Sequence, residues 1–296
     1  MNNSDNFAVT SVVVPTVGRP ELHRAVQSVA SQGVPTEIII VLDDPQQHAE
    51  VHSLLSAFDV EVFLTSGFQG GAVARNIGLH AATGDFVAYL DDDDWWEPGK
   101  LAKQLAAIRS SASPSKTVSL TSTRFLRADN TIEVLPKKPW DRQQPIADYL
   151  VCRPELHFGT GFMQTSSIVA PRDFMIKYPW DESLGKHQDW DLFVRIFSGS
   201  ESAEIAFVDE ELVNVPQAST GSVSKKADWR SSRQWYEKHR SLLSPKGAGD
   251  FLATQILRAS LNKRDLEGLG FFITQLRAAR PHPAALVVGF AGLLGK

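Results

Sequence analysis

The chain has only one cysteine, Cys152, among its 296 residues, so it cannot form an internal disulfide and offers no cysteine-based metal site. It also lacks an apolar run of about 18 residues, the length that crosses a bilayer. The nearest candidate, residues 283–296, is shorter and contains glycines. The first ten residues have neither the basic nor the apolar region of a signal peptide. These absences predict a cytoplasmic protein that is soluble or bound peripherally at the inner face of the membrane.

An excess of positive charge is missing as well. The formal net charge is −4 at pH 7, so no overall basic field attracts nucleic acid, and we expect no nucleic-acid partner. The hydrophobic fraction of 43% and the charged fraction of 22% are typical of a globular protein. A chain of this length is able to bury a sizeable core.

The first half of the chain alternates apolar, β-branched runs with amphipathic segments. The apolar runs, predicted to be strands, cover residues 10–15, 37–44, 60–65 and 85–90. The segments predicted to be helices cover residues 20–32, 46–58 and 70–84. Because each strand is apolar throughout rather than at alternate positions, both of its faces are expected to be buried in a parallel sheet. The pattern predicts an α/β fold with a doubly wound, mostly parallel sheet.

The second half is less regular. A helix with Pro98 in its first turn is expected after residue 96, followed by short strands within residues 117–135. Residues 136–165 are predicted to be irregular, and such stretches often carry function. The remaining predicted elements are a helix at 189–198, two short strands at 203–209 and 211–216, and helices only from residue 228 onward.

The unusual polar residues of the first half all follow predicted strands. They are Thr16 and Arg19, Asp43 and Asp44, residues 65–71, and the run Asp91, Asp92, Asp93 and Asp94. Ligands of open parallel sheets bind at the carboxyl ends of the strands. The sequence therefore predicts a binding site at one edge of the sheet.

The four consecutive aspartates, Asp91 to Asp94, repel one another and need a balancing charge. Carboxylate oxygens suit Mg²⁺ or Mn²⁺, which usually join one or two carboxylates to substrate phosphates. A calcium-binding EF-hand is excluded, because its sixth and twelfth positions would be Trp96 and Ala102. A solvated acidic loop is disfavoured because Trp95 and Trp96 follow the run and tend to be buried.

Three other features are explained equally by a functional role or by local structure, and the residues leave both explanations open. Asp43 and Asp44 are able to end a strand and cap the helix after Pro45. The glycine pair at residues 70–71 is a weak phosphate-binding signal and also suits a flexible helix start. Asp189 is able to cap the helix predicted at 189–198.

Taken together, the motifs resemble those of the family 2 glycosyltransferases, which are inverting enzymes with a GT-A fold. The resemblance extends from VVVPTVGRPELHRAVQSVASQ through EIIIVLDD and GGAVARNIGLHAATGDFVAYLDDDDWWEPGKL to HQDWDLFVRI. It implies a Rossmann-like GT-A domain over residues 1–222, with a nucleotide-sugar-binding half (1–115) and an acceptor-binding half (116–222). Residues 223–296 are expected to form a C-terminal helical appendage.

The resemblance also implies donor-binding residues. Thr16 and Arg19 match the segment that receives the nucleoside, and Asp44 matches the acidic residue that recognises the base. The expected nucleotide-sugar-binding set is completed by Gly71, Arg75, Asn76, Asp91 and Asp92.

Metal and catalytic residues follow from the same resemblance. The run from Asp91 to Asp93 is similar to the family's DxD motif, with Asp93 the expected direct ligand of Mn²⁺ or Mg²⁺ and Asp91 the second candidate. Asp94 is expected to be structural. Asp189 is similar to the family's general base, although Gln188 stands where the family more often has glutamate.

The implied reaction is metal-dependent, inverting transfer of one sugar from a nucleoside diphosphate sugar to an acceptor hydroxyl. The acceptor is expected to be a carbohydrate, lipid-linked or other hydroxyl compound in the synthesis of surface polysaccharide or another glycoconjugate. A processive synthase is disfavoured because the QxxRW motif is missing. A sugar-nucleotide-forming nucleotidyltransferase is disfavoured because PTVGRPEL follows the first strand in place of a glycine-rich basic loop. A non-catalytic nucleotide- or carbohydrate-binding module is the third alternative.

The C-terminal helices contain a group of basic residues whose role is interpreted in two ways. A solvated helix face is favoured, and peripheral contact with a membrane is the alternative. The residues are Lys225, Lys226, Arg230, Arg233, Lys238 and Arg240.

Overall fold

The computed structural model describes residues 8–156, 161–199, 203–217 and 229–294. The chain divides into two compact units that alternate along the sequence. The first unit comprises Met1–Val134, Gln164–Glu182 and Glu201–Ser219, and the second comprises Leu135–Met163, Ser183–Ser200 and Thr220–Lys296. The predicted domain boundary between residues 222 and 223 lies outside the described residues and stays a prediction.

The first unit is built on a sheet of nine strands within the described ranges. They are β1 (Thr10–Thr16), β2 (Thr36–Leu42), β3 (Glu61–Leu64), β4 (Phe86–Tyr89), β5 (Trp95–Trp96), β6 (Thr117–Leu126), β7 (Ile132–Leu135), β8 (Val169–Pro171) and β9 (Glu204–Pro216). Their order is β3-β2-β1-β4-β8-β6-β9-β5, and β7 pairs with β6.

The helices of both units, in chain order, are α1 (Leu22–Ala30), α2 (His48–Leu54), α3 (Gly71–Ala81), α4 (Lys100–Arg109), α5 (Ile146–Val151), α6 (Arg172–Met175), α7 (Gln188–Ser198), α8 (Trp229–His239), α9 (Pro245–Phe251), α10 (Arg258–Lys263), α11 (Leu266–Gln275) and α12 (Pro283–Phe290). A π-helical segment, Leu252–Leu257, joins α9 to α10. Within the described residues no helix is both long and apolar enough to cross a membrane.

The predicted parallel sheet is confirmed for β3, β2, β1 and β4, which pair in parallel. Val12, Val13 and Val14 of β1 are fully buried, as expected for a central strand covered on both faces. The sheet becomes mixed beyond β4, because β8 pairs with β4 in the antiparallel direction. The α/β class is therefore confirmed, and the parallel half carries the predicted binding edge.

Three local predictions were wrong. Helix α4 begins after Gly99, so Pro98 precedes the helix rather than occupying its first turn. The stretch 136–165, expected to be irregular, contains α5. The two strands predicted at 203–209 and 211–216 are one strand, β9, because the acidic residues between them lie at a register irregularity against β6 rather than in a turn.

From residue 229 onward the described part of the second unit is helical, as predicted. The π-helical segment contacts each of the helices from α8 to α12. Trp235 and Phe251 are fully buried there and their rings stack with centroids 4.8 Å apart. Helix α5 packs on both α7 and α9, which explains why part of the 136–165 stretch belongs to this unit.

Candidate active site

The carboxyl ends of β1 and β4 are joined through a threonine and an aspartate. The Thr16 hydroxyl donates a hydrogen bond of 2.7 Å to Asp92 Oδ2 and accepts one of 2.9 Å from the Gly18 amide. Both side chains are buried. Because parallel strands end at the same edge, two polar residues separated by 76 positions meet there, as the sequence predicted.

Arginines balance part of the charge of the aspartate run. Arg19 Nη1 lies 3.2 Å from Asp92 Oδ1 and 3.3 Å from Asp93 Oδ2. Arg24 donates to the Asp93 carbonyl oxygen over 3.3 Å, and its guanidinium lies 3.7 Å from the centre of the Trp95 ring. The sequence motifs did not indicate Arg24. The sequence signal that was available for Arg24 was its position in α1, the helix that follows β1.

Arg75 of α3 holds the first aspartate of the run. Its Nη2 donates to Asp91 Oδ1 over 2.5 Å, and its guanidinium carbon lies 4.8 Å from the centre of the Trp180 ring. A Cβ at Gly71 would lie only 2.8 Å from Arg75 Nη1. Gly71 therefore provides space for the arginine, in addition to starting the helix.

Asp94 supports the loop. Its Oδ2 accepts hydrogen bonds from Gln164 Nε2 at 2.7 Å and from the Ser166 hydroxyl at 2.6 Å. Burial, followed by the neighbouring charges of Asp91 and Asp93, raises the pKa of Asp94 well above its usual range. These contacts agree with the structural role expected for Asp94, whereas its partners lie some 70 residues away and carried no local signal.

The two tryptophans after the run fix its end. Trp96 is buried, and its Nε1 donates to the Ser166 carbonyl oxygen over 2.8 Å. Trp95 and Trp96 form β5, which pairs with Asn214 and Val213 of β9. The expected burial is confirmed for Trp96, whereas Trp95 is only partly buried.

The ionisation of Asp92 also depends on its surroundings. Burial raises its pKa to about 6, even though the Thr16 hydrogen bond and the Arg19 charge act in the opposite direction. The charges of Asp93 and Asp91 raise it further. An added cation beside the run would favour its ionised form.

Asp43 and Asp44 have different neighbours. The buried Asp43 accepts from the Thr65 hydroxyl at 2.6 Å and from the Gln69 and Gly70 amides at 2.8 and 2.7 Å. It therefore organises the loop that leads into α3. Asp44 is partly exposed and accepts from the Gln46 amide at 3.1 Å, which is the capping alternative. A base-recognition role for Asp44 stays a prediction.

Asn76 is buried and its amide group is engaged within the first unit. Its Oδ1 accepts from the Trp180 amide at 2.8 Å, while Nδ2 donates to the Trp180 carbonyl oxygen and to Glu182 Oε1. These bonds attach residues 180–182 to α3. The donor-binding role of Asn76 stays a prediction, and the contacts explain the residue without it.

The chemistry of the aspartate run fits a hard divalent cation. All of the side-chain atoms that the run offers to a metal are carboxylate oxygens. The side chains of Asp91 and Asp93 are 30% and 18% exposed, whereas that of Asp92 is 8% exposed. Within the described ranges, no group of three or more histidine, cysteine, aspartate or glutamate side chains is arranged to hold a metal by itself. A cation completed by substrate phosphates requires only one or two carboxylates.

Asp189 lies in the second unit, in the first turn of α7. The helix begins after His187, whose backbone is left-handed at φ 61°, so His187 rather than Asp189 occupies the N-cap position. Asp189 Oδ1 accepts from the Trp190 amide at 2.9 Å, and the residue is partly exposed. A negative charge is favoured at this end of a helix.

His187 is structural, as a lone histidine usually is. It is buried, stacks on Trp190 with ring centroids 4.5 Å apart, and has Nε2 3.0 Å from the Ser232 hydroxyl. Burial, with a smaller effect of the Lys186 charge, lowers its pKa well below the usual value. The ring is therefore neutral at physiological pH.

Asp191, two residues after Asp189, is fully buried, and the sequence motifs did not single it out. It lies 2.7 Å from Arg195 Nε, 2.8 Å from His239 Nε2 and 2.5 Å from Lys238 Nζ. Burial alone would raise its pKa, but the hydrogen bonds from these three residues together lower it below the usual range. The spacing of Asp191 and Arg195 by four residues was the available sequence signal.

Comparison with known proteins agrees with these features. Residues 11–163, more than half of the chain, match the family model described as glycosyl transferase family 2. The chain belongs to this family. The match includes every aspartate of the run and ends before Asp189.

Two curated glycosyltransferases are similar to this family 2 chain. The amylovoran biosynthesis glycosyltransferase AmsB of Erwinia amylovora is 32% identical over an alignment of 195 residues that covers 62% of each chain. The Escherichia coli protein WfgD, named UDP-Glc:alpha-D-GlcNAc-diphosphoundecaprenol beta-1,3-glucosyltransferase, is 30% identical over 107 residues, covering 35% of this chain and 42% of WfgD. The matches thus span less than two thirds of either relative.

The fold is similar to that of TarS 1-349 from S. aureus, solved in complex with UDP-GlcNAc. The TM-score is 0.65 at 15% identity, and the match covers 91% of this chain and 82% of the TarS chain. At this identity the likeness concerns the fold. The predicted GT-A fold with C-terminal helices is confirmed.

Proposed function

We propose that this chain is a metal-dependent, inverting glycosyltransferase that moves one sugar from a nucleoside diphosphate sugar to an acceptor hydroxyl in surface polysaccharide or other glycoconjugate synthesis. The observation that carries the proposal is the aspartate run at the sheet edge, held by Thr16, Arg19 and Arg75. Membership of family 2 supports the reaction class.

The donor would bind at the carboxyl edge of β1 and β4. Thr16 and Arg19 lie beside Asp92 at that edge and would contact the nucleoside. The N-terminus of α3, which starts at Gly71, presents backbone amides that favour an anionic group. TarS, which has a similar fold, was solved with UDP-GlcNAc, and this supports a nucleoside diphosphate sugar as the donor class.

Asp93, with Asp91 as the second ligand, would hold Mn²⁺ or Mg²⁺ together with the donor. When bound, such a cation supplies Lewis-acid stabilisation of the charge that develops on the departing diphosphate. Arg75 would keep Asp91 oriented, and Arg19 would do the same for Asp92 and Asp93.

Asp189 would act as the general base. Its carboxylate would accept the proton of the acceptor hydroxyl as that oxygen attacks the anomeric carbon, and a single displacement inverts the configuration there. The first turn of α7 fixes the residue, because the Trp190 amide donates to one of its oxygens. The buried Asp191, already bonded to three basic residues, is less suited to this task.

The acceptor would be a carbohydrate or a lipid-linked glycan. WfgD is named for transfer to a diphosphoundecaprenol-linked sugar, and AmsB for synthesis of amylovoran. Residues 136–165, which lie in the predicted acceptor-binding half, are our candidate for acceptor recognition. Of these, residues 157–160 lie outside the described ranges.

Incubation with a panel of UDP-, GDP- and dTDP-sugars, with and without Mn²⁺ or Mg²⁺, tests the proposal. We expect cation-dependent release of nucleoside diphosphate and formation of a product of inverted anomeric configuration. Release of pyrophosphate from a sugar phosphate and a nucleoside triphosphate would instead identify a nucleotidyltransferase. Donor binding without turnover in the presence of any acceptor would indicate a binding module.

Three variants separate the proposed role of Asp93 in cation-dependent donor binding from the proposed role of Asp189 as the general base. We expect Asp93→Ala to lose both cation-dependent donor binding and turnover, and Asp189→Asn to keep donor binding but lose turnover. Asp59→Asn removes an exposed carboxylate of the first unit and serves as the matched control. Turnover near the wild-type level in Asp189→Asn would show that the base has been wrongly assigned.

A further inference from the structure

Helix α12 is apolar on all sides, and one of its sides is exposed. The buried side contains Ala285 and Gly289, and a Cβ at Gly289 would lie 2.7 Å from the Ala253 carbonyl oxygen. On the other side Val287 and Phe290 are 57% and 52% exposed, and Leu293 in the next turn is 65% exposed. A helix at a protein surface normally places polar residues at such positions.

Helix α11 also exposes large apolar side chains, although it contains the polar residues Glu267, Thr274 and Gln275. It buries Gly268 and Phe272, whereas Leu266 and Ile273 are 81% and 66% exposed. Leu266, Gly270 and Ile273 follow one another at helical spacing, so they share one face. Two consecutive helices therefore expose large apolar side chains.

Exposed basic residues lie next to both helices. Lys263 and Arg264 precede α11, and Arg277 and Arg280 lie between α11 and α12; the four residues are exposed. None of the four forms an ion pair with another residue of the described ranges. The acidic residues nearest in sequence, Asp265 and Glu267, are paired with Arg230, and residues 268–293 contain no acidic residue.

The basic residues considered from the sequence have different surroundings. Arg230 pairs with Asp265 and Glu267, Arg233 pairs with Glu237, and Lys238 pairs with Asp191. Lys225 and Lys226 lie outside the described residues. Three of the six basic residues are thus paired within the chain, whereas Lys263, Arg264, Arg277 and Arg280 are not paired within the part that the structure describes.

We propose that the exposed side of α12, with Arg277 and Arg280, binds the surface of an anionic lipid bilayer, and that the exposed face of α11 adds to this contact. Val287, Phe290 and Leu293 would enter the boundary between headgroups and acyl chains, while the arginines contact lipid phosphates. Exposed apolar residues, with exposed basic residues next to them in the sequence, are typical of helices that lie in the membrane interface. Binding of this kind does not depend on the proposed sugar transfer.

Charge decides between a bilayer and a second copy of the chain. A symmetric contact through the same face would offer the arginines no carboxylate from the other copy, because residues 268–293 contain no acidic residue. An anionic bilayer neutralises them, because each lysine or arginine near such a surface adds favourable attraction. The lipid surface is therefore the occupant that suits both the apolar and the basic residues.

Flotation of the full chain with vesicles tests the proposal. We expect binding to vesicles of phosphatidylcholine with phosphatidylglycerol, and weaker binding to phosphatidylcholine alone. The double variant Val287→Ser/Phe290→Ser should bind at least about tenfold more weakly to both. Arg277→Glu/Arg280→Glu should weaken binding about thirtyfold or more, on the anionic vesicles only.

The matched control is Ile132→Ser, which removes an exposed apolar side chain from the first unit and should bind as the wild type does. Circular dichroism melting of each variant checks that the fold is intact, and donor hydrolysis checks the proposed reaction separately. Unchanged flotation of folded Val287→Ser/Phe290→Ser would overturn the proposal. So would wild-type protein that does not float with the anionic vesicles; sedimentation equilibrium then tests whether this face forms a dimer instead.

Discussion

Arg75 donates a hydrogen bond of 2.5 Å to the carboxylate of Asp91, and this contact attaches helix α3 to the first residue of the aspartate run. The Arg75 side chain is 10% exposed and that of Asp91 is 30% exposed. A charge pair that is largely shielded from water is worth more than one on the surface. Loss of this pair should therefore affect both stability and turnover.

Replacing Arg75 by methionine removes the charge and keeps most of the side-chain length. Because Asp91 loses its partner, we expect the free energy of unfolding to fall by about 1–3 kcal/mol, and donor turnover to fall as well. Urea denaturation measures the first effect. Lys103→Met is the control, since Lys103 pairs with Glu210 at the exposed surface and its loss should cost less than about 1 kcal/mol. Equal losses in the two variants would contradict the special role of Arg75.

Replacing Gly71 by alanine tests whether the position of the Arg75 guanidinium matters. The added Cβ would lie 2.8 Å from Arg75 Nη1, so the guanidinium must move. We expect turnover to fall by about ten- to a hundredfold, as small misplacements in active sites do, while stability changes by less than about 1 kcal/mol. Gly270→Ala is the matched control, because nothing lies within 4 Å of the Cβ that alanine would add there. Full activity in Gly71→Ala would refute the idea.

Asp189 and Asp191 should respond in opposite ways to replacement by asparagine. Asp189→Asn should lose turnover by at least about a hundredfold, with little change in stability, because the residue is partly exposed. Asp191→Asn should destabilise the protein by about 3–5 kcal/mol, since it breaks a buried charge cluster. Thermal and urea unfolding of both variants, combined with kinetics, distinguish a catalytic from a structural aspartate. Similar unfolding energies for the two would count against this division.

The pH dependence of the free energy of unfolding tests the structural role of Asp191 in a second way. Its pKa is lowered in the folded protein, so its contribution is present above the unfolded value of about 3.9 and is lost as the pH falls below it. Urea unfolding between about pH 3 and pH 7 should show a steeper loss of stability for the wild type than for Asp191→Asn.

Lys100 is fully buried above the ring of Trp96, with Nζ 4.0 Å from its centre and with no hydrogen-bond partner in the described part of the chain. Burial lowers the pKa of Lys100 well below its usual value. We expect Lys100→Met to raise the free energy of unfolding at pH 7 by about 1–3 kcal/mol, because an unsatisfied polar group is removed while the packing is kept. Urea unfolding measures this change.

The sign of the pH effect follows from proton release. Burial lowers the pKa of Lys100 in the folded protein, so the unfolded chain binds more protons at this residue, and the cost of burying the amine falls as the pH rises toward about 10. The advantage of Lys100→Met should therefore shrink as the pH rises from 7 to 10. An advantage that stays constant or grows over this range would mean that the amine keeps its proton in the folded protein.

The apolar pattern was sufficient to predict the parallel half of the sheet and the edge where its polar residues meet. Strands such as β1 are apolar at successive positions, and this signal is local. It failed where a long-range contact overrides local composition, as in β9, whose acidic residues lie at a bulge against β6. It also failed at α5, whose packing on α7 and α9 could not be inferred from a stretch rich in proline.

By itself, the sequence determined the fold class, the family and the set of aspartates at the sheet edge, because periodicity and motif order are properties of neighbouring residues. Only the tertiary structure decided which carboxylates are held by hydrogen bonds and ion pairs with other side chains of the protein. Asp94 is bound by Gln164 and Ser166, and Asp191 is bound by Lys238 and His239. These partners lie between 47 and 72 residues away, so folding alone brings them together. The physical reason is that a carboxylate's role depends on the groups around it in space, whereas its position in a motif depends on the order of the chain.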